Sequence, residues 1–282
     1  PMMRRCGFLL LLAAFAVLPA PAVRAEAFRI PILCYHSVTD KGNGRFVLST
    51  GAFEEQMQYL YVNGYTVLSL DKLVEFLTLY KQGRAKAVNL PQKPVVITFD
   101  DNFFSIPLNA LPILKLYGFP AANFLYTLFM TDTQWRWYRK FAGQGLTFSS
   151  HTCNHVDLTR RKAGESDRAW RKRIYREMKD SRKIIARGLG SEVLYLAYPF
   201  GNVNPEVRQF ARLAGYRAMF SALGGYVTDK TELDNIPRFT MFRNFSMEMF
   251  QLIVSGGWNR GLEDFVQDPR DFKIRDYNFD FK

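Results

Sequence analysis

Val95-Val96-Ile97-Thr98-Phe99-Asp100-Asp101 reads as a β-strand, rich in β-branched and aromatic side chains and ended by two adjacent acids. Similar runs lie on both sides of it. Residues 30–36 form an expected first strand with His36 at its end, and 53–62 a helix with Phe53, Met57 and Leu60 on one side. A short strand over 64–68 precedes a helix over 72–80 that Asp71 is placed to cap. Downstream, helices are expected over 108–117, 135–142, 167–187 and 205–214, and strands over 122–126, 146–149 and 193–197. Repeated strand–helix alternation argues for an α/β barrel or a doubly wound sheet. The barrel is favoured because His36, Asp100 and Asp101, His151 and His155, and Tyr198-Pro199-Phe200-Gly201 all fall just past the C-terminal ends of expected strands. At that edge of a barrel, functional groups from separate strands converge.

Only three histidines occur in 282 residues, and two stand four apart in Ser150-His151-Thr152-Cys153-Asn154-His155. A neutral imidazole offers a directional lone pair to a metal ion near neutral pH. With Asp101, His151 and His155 form a two-His, one-carboxylate set that leaves positions open for water and substrate, as a catalytic site requires. A divalent ion held in this way lowers the pKa of its water to about 7 and polarises a carbonyl oxygen. Asp100, adjacent but directed elsewhere, is then the candidate general base. Taken singly, each motif has an ordinary explanation: an acid pair can be a helix cap with an exposed neighbour, and paired histidines can be core or surface residues. Their joint occurrence on matching strand ends favours a metal hydrolase.

The expected domain is 26–282, with 1–25 a secretory signal peptide. Arg4 and Arg5 precede an apolar run over 8–18, and Val23 and Ala25 supply the small residues of a cleavage site. The run is too short to span a bilayer comfortably, so export to the periplasm or the extracellular space is expected. The formal charge is +12 and falls to +9 when Arg4, Arg5 and Arg24 leave with the signal. Such a balance suits anionic lipid head groups, acidic polymers or nucleic acid. Much of the charge, however, sits in 160–187, where Trp170, Ile174, Met178 and Ile185 recur at helical spacing. That pattern reads first as a surface helix with one buried stripe and a solvated basic face. No nucleic-acid partner is expected, and peripheral contact with an anionic envelope surface stays open. Cys34 and Cys153 could pair in an oxidising compartment, but two cysteines make no framework. Trp135, Trp137, Tyr138 and Trp258 are candidates for stacking on sugar rings.

Thr98-Phe99-Asp100-Asp101, then His151-Thr152-Cys153-Asn154-His155, then Tyr198-Pro199-Phe200-Gly201 resemble the ordered motifs of polysaccharide deacetylases. This is carbohydrate esterase family 4, the NodB homology domain, and the similarity runs over about 31–245. The resemblance implies a distorted (β/α) barrel and a metal-dependent polysaccharide N-deacetylase. It assigns Asp100 as catalytic base, and Asp101, His151 and His155 as metal ligands. Thr152 supports the site, and a backbone N–H near Phe200, within Tyr198-Pro199-Phe200, steadies the oxyanion. Zn²⁺ is the first choice of ion, with Co²⁺ and Ni²⁺ suiting the same ligands. The segments Ile32-Leu33-Cys34-Tyr35-His36-Ser37-Val38 and Ile236-Pro237-Arg238 resemble the branch acting on poly-N-acetylglucosamine of biofilm matrices. The expected substrate is therefore an N-acetylglucosamine polysaccharide of that kind. Peptidoglycan, chitin-like oligomers, a lipid-linked sugar and a non-catalytic glycan-binding role are the alternatives.

Three departures from the family pattern stand out. An Arg common two residues before the third motif's Pro is replaced by Ala197, and Arg238 is the substitute cation expected near Asp100. The late Leu-x-His that often provides the general acid is absent, which leaves His36 as the candidate acid. Asn102 takes the place of a usual Gly after the acid pair, and Asn tolerates left-handed backbone angles.

Overall fold

The run 95–99 does form a strand, and its side chains are almost wholly inaccessible to solvent. The structure, a computed structural model, describes residues 28–87 and 89–258. The expected signal segment 1–25 and the tail 265–282 lie outside the described residues, as do both ends of the expected domain 26–282.

The chain opens with β1 (Ile32–Tyr35), the small pair β2 (Ser37–Val38) and β3 (Val47–Leu48), and α1 (Thr50–Val62). Next come β4 (Thr66–Leu68), α2 (Leu70–Lys81), β5 (Pro94–Asp100), α3 (Leu111–Leu116) and β6 (Ala121–Leu125). Then follow α4 (Asp132–Arg139), β7 (Leu146–Ser150), the long α5 (Asp167–Leu189), β8 (Tyr195–Ala197) and α6 (Pro205–Leu213). The last elements are β9 (Ala218–Phe220), β10 (Phe239–Thr240) and α7 (Met247–Val254).

Side-chain oxygens start most of these helices. Ser49, Thr131, Ser166, Asn204 and Ser246 each accept a backbone N–H of the first turn, a contact worth about 1 kcal/mol apiece. In α2 the cap is Ser69, not Asp71. Asp71 sits one position inside the helix, where its charge favours the positive end of the helix dipole. The expected single helix over 108–117 is divided. A wide turn over Ile106–Ala110, in which the Leu111 N–H reaches back to Ile106 O, precedes α3. Pro112 cannot donate to the carbonyl of Leu108, and the wider turn accommodates that missing bond.

The main sheet runs β10-β1-β5-β6-β7-β8-β9, with β4 joined to the start of β5, and every pairing is parallel. The segment after Ile236 touches both ends of that order: Ile236 bridges Phe220 of β9, and Phe239 pairs with Leu33 of β1. The result is a curled, distorted (β/α) barrel.

Alternation along each strand then sorts side chains between inside and outside. Val95, Ile97 and Phe99 pack outward with the large cluster that holds Phe53, Trp170 and Ile174. Val96 packs inward with Ile32, Ala122, Phe124, Ala218 and Phe220. Leu70, Leu73, Val74 and Leu77 of α2 join this inner cluster and so close the end of the barrel where the strands begin. Thr98 and Asp100, two and four positions beyond Val96, face the same interior toward the opposite, functional end.

Candidate metal centre and active site

Asp100 ends β5 on the inner face, and Arg238 of the closing segment meets it squarely. One guanidinium nitrogen donates to Oδ1 at 2.7 Å and the other to Oδ2 at 2.7 Å. Arg238 is itself fully buried, donates to Thr98 Oγ1 at 3.2 Å and Ser221 O at 2.9 Å, and lies over the Phe124 ring. Burial alone would push the Asp100 carboxyl up, but the guanidinium outweighs it and holds the group well below the usual carboxylate range. The Cys34 thiol also donates to Asp100 Oδ2, at 3.4 Å.

Asp101 turns the other way. Its φ is 70°, and both its carboxylate oxygens are buried with no hydrogen-bond partner. Burial, then the neighbouring Asp100, push its carboxyl well above the usual range. His155 Nε2 stands 3.4 Å and His151 Nε2 3.9 Å from Asp101 Oδ1. The Nδ1–H of His151 donates to Ala197 O at 2.8 Å, which fixes the tautomer and leaves Nε2 with a lone pair between the two acids, 3.8 Å from Asp100 Oδ2 and 3.9 Å from Asp101 Oδ1. Burial lowers the pKa of both imidazoles, that of His155 to about 3. An orphaned buried carboxylate beside two neutral imidazole nitrogens, all within 4.8 Å of one another, is the donor set a divalent ion satisfies. The residues present therefore fit a metal ion.

The backbone here is strained. Of five described non-glycine residues with positive φ, four belong to this site: Asp101, Thr152, His155 and Phe200. Each costs about 1–3 kcal/mol and persists only where its surroundings over-determine it. The Asn123 amide holds Asp101 O at 2.9 Å, and the Thr127 N–H donates to Thr152 O at 3.2 Å. Asn102 is not the left-handed residue; Asp101 is. The Asn102 side chain instead clamps Tyr126, donating to its carbonyl at 2.8 Å and accepting from its N–H at 3.1 Å. An amide that bonds the neighbouring strand twice makes the turn without a glycine.

The remaining expected residues lie close by. His36, just past β1, is 8% exposed, its Nδ1 has no partner, and burial lowers its pKa to about 4. It comes within 4.8 Å of Asp100. Thr152 Oγ1 is buried and unpartnered. Pro199 and Tyr198 are buried, and the Tyr198 hydroxyl donates to Asp234 O at 2.9 Å, so it anchors the loop from below. The Phe200 ring is 38% exposed and sits edge-on to His155 at 4.7 Å. The Cys34–Cys153 pairing does not occur: both thiols are free. Trp135, Tyr138 and Trp258 are buried in the main cluster, which corrects their expected role as sugar platforms.

One residue escaped the sequence reading. Glu177 of α5 accepts the N–H groups of Cys153 at 3.1 Å and Asn154 at 2.9 Å, and the Asn154 amide at 2.6 Å. It thereby fixes the loop between His151 and His155. Nothing separates it in sequence from the other acids of a charged helix.

Comparison with known proteins gives this arrangement its class. The polysaccharide deacetylase family profile matches residues 87–219, which hold Asp100, Asp101, His151 and His155. Residues 87–219 therefore carry a polysaccharide deacetylase domain, of a family that generally works with a bound metal ion. The chain is 28% identical over 195 residues to the YxkH protein of Bacillus subtilis, named for the same family; the match covers 67% of this chain and 63% of YxkH, under two thirds of that relative. It is 26% identical over 213 residues to a poly-β-1,6-N-acetyl-D-glucosamine N-deacetylase of Staphylococcus aureus, covering 72% of this chain and 71% of the relative. Among solved structures, the Streptococcus pyogenes deacetylase PplD in complex with acetate aligns with a TM-score of 0.68 and 26% identity. That alignment covers 80% of this chain and 98% of PplD.

Proposed function

We propose that this protein removes N-acetyl groups from an N-acetylglucosamine polysaccharide, poly-N-acetylglucosamine of an exopolysaccharide matrix. The observation that carries the proposal is the contrast between two adjacent buried acids. Asp100 is gripped at both oxygens by a buried arginine and kept ionised, whereas Asp101 is left without any hydrogen bond beside two imidazoles. The named activity of the Staphylococcus aureus relative supports the choice of polymer.

Asp101, His151 and His155 hold the ion, Zn²⁺ before Co²⁺ or Ni²⁺. When bound, it supplies an activated water and polarises the acetamide carbonyl. Asp100 takes the proton of the attacking water. Its oxygens keep lone pairs beyond those used by Arg238, since a carboxylate offers about four acceptor positions. Arg238 positions Asp100 and keeps it charged. His36, neutral at rest because burial lowers its pKa to about 4, would take up the proton that Asp100 gains from the water and pass it to the departing amine; its Nδ1 has no hydrogen-bond partner. A backbone N–H near Phe200 faces the developing oxyanion, with Thr152, Tyr198 and Pro199 supporting the loops. The protein acts after export; the basic start and apolar run over 8–18 support that placement, and no helix among the described residues is long and apolar enough to cross a membrane.

The test is acetate release from N-acetylglucosamine oligomers, with metal analysis of the same sample. Asp100→Asn is expected to abolish turnover with metal still bound. A stoichiometric metal with no turnover on any acetylated glycan would overturn the assignment. Loss of metal in Asp100→Asn would mean that the two acids have exchanged roles.

A further inference from the structure

The long helix α5 carries a second feature that the deacetylase site does not use. Across 160–187 there are twelve Lys and Arg residues against four acids. The acids and the loops nearby take several of those cations: Arg160, Arg161, Arg171, Arg173 and Arg182 each pair with a carboxylate. Arg168, Lys172, Arg176, Lys179, Lys183 and Arg187 have no ion pair among the described residues. Their spacing of four, four, three, four and four places all six within an arc of about 100° on one side of the helix. That side is opposite Trp170, Ile174, Met178 and Ile185, which are buried in the main cluster. Five of the six are exposed and Lys179 is half-buried. The stripe is about 28 Å long at 1.5 Å per residue.

Beside the N-terminal half of the stripe is a cavity of about 440 Å³, lined by Lys162, Lys172 and Arg176 and also by Cys153 and Asn154. Glu177 and Asp180 also line it. The Glu177 carboxylate is occupied by the loop N–H groups, so Asp180 is the one lining acid left to set against Lys162, Lys172 and Arg176. Cys153 and Asn154 lie between His151 and His155. The cationic track thus begins at the back of the metal-binding loop and runs away from it.

We propose that this face is a binding track for a linear glycan bearing carboxylate or phosphate groups, and that the cavity takes one such group beside the metal-binding loop. The inference goes beyond the deacetylase reading and does not depend on it: the track holds the protein on an acidic polymer, whatever acetylated chain the site takes. Charge complementarity along a narrow line selects an extended strand. A bilayer-seeking helix would carry large apolar residues between its cations; within this arc there is none, the exposed Ile184 lying about 60° outside it. Single-stranded nucleic acid would call for exposed aromatic platforms. Among the described residues the aromatic beside the stripe is Tyr175, which lies under Lys179 and against Phe210.

The test uses the full chain with a polyuronate of defined length, binding being measured by fluorescence anisotropy at two salt concentrations. Lys172→Gln/Arg176→Gln/Lys183→Gln is compared with Lys72→Gln/Lys86→Gln/Lys230→Gln, which removes the same charge from elsewhere on the surface. The track variant is expected to bind about tenfold more weakly, three exposed charge contacts being lost, with a shallower salt dependence. The control variant is expected to bind like wild type. Equal weakening in both would reduce the effect to net charge and overturn the proposal. So would tighter binding of double-stranded DNA or of phosphatidylglycerol vesicles with the same dependence on Lys172, Arg176 and Lys183. Acetate release from neutral N-acetylglucosamine oligomers is read in parallel; its absence would refute the deacetylase reading without touching this one.

Discussion

Replacing Arg238 by Met keeps much of the side chain's volume and removes its charge. In the native protein the guanidinium gives Asp100 two bonds of 2.7 Å in a site with no solvent exposure on the arginine side. Removing one partner of a buried pair leaves the other charged and desolvated, a loss of about 3–5 kcal/mol. Against a typical total of about 5–15 kcal/mol, this is a large fraction of the stability. Urea unfolding of wild type, Arg238→Met, Asp100→Asn and the double variant, followed by circular dichroism, gives the coupling directly. The double variant should be more stable than Arg238→Met alone, because Asn leaves no buried charge behind.

The pH dependence carries a sign. In wild type the folded pKa of Asp100 is depressed, so the pair's contribution is present above the unfolded value near 3.9 and is lost as pH falls below it. In Arg238→Met the largest lowering influence is gone and burial is opposed only by the nearby His151 and His36, so the folded pKa is expected to rise above the unfolded one and the penalty to shrink as the carboxyl is protonated on acidification. A penalty below about 1 kcal/mol at pH 7, or one that grows between pH 7 and pH 5, would refute this account of the pair.

Other perturbations reach different parts of the site. Glu177→Ala strips the His151–His155 loop of three hydrogen bonds. It should weaken Zn²⁺ binding about 10–100-fold in a chelator competition, as loss of a group that orients ligands does; unchanged affinity would mean that the loop holds its shape unaided. His36→Gln should lower kcat about 10²–10⁴-fold with metal content and KM retained, and a loss of less than tenfold would remove it as the acid. Gly188→Ala would drive a methyl into the Trp135 indole; overpacking at about 1–3 kcal/mol outweighs a helix-propensity gain of at most about 1, so the midpoint of thermal unfolding should fall rather than rise.

What the sequence made legible was whatever depends on local pattern. The strand 95–99 shows in its β-branched run, and α5 shows in the spacing of Trp170, Ile174, Met178 and Ile185, because periodicity reflects which face is buried. The two-residue β10 and three-residue β9 are too short to show a period. The break at Ile106–Ala110 turned on Pro112, whose effect falls on a carbonyl four residues earlier. Ser69 and Asp71 are both good cap residues two positions apart, and only the backbone angles separate them. Within the site, Asp100, Asp101, His151 and His155 stand in short motifs. Glu177 acts through backbone N–H groups that any loop sequence could offer, and so leaves no trace in residue type.

The seam of the barrel has a consequence for how the protein comes into being. Asp100 and its counter-ion are 138 positions apart, and Arg238 arrives on the segment that joins β9 to β1. Until that last join forms, Asp100 has no cation to match it and every reason to stay wet. The acid therefore resists collapse of the unfinished interior, and the arginine releases that resistance only when the ring closes. Such long-range closure is slow to form, and it couples two events usually considered apart: completing the fold and charging the proposed base. A chain stopped short of residue 238 would lack both, and any partly folded form that catalysed acetate release would contradict that coupling.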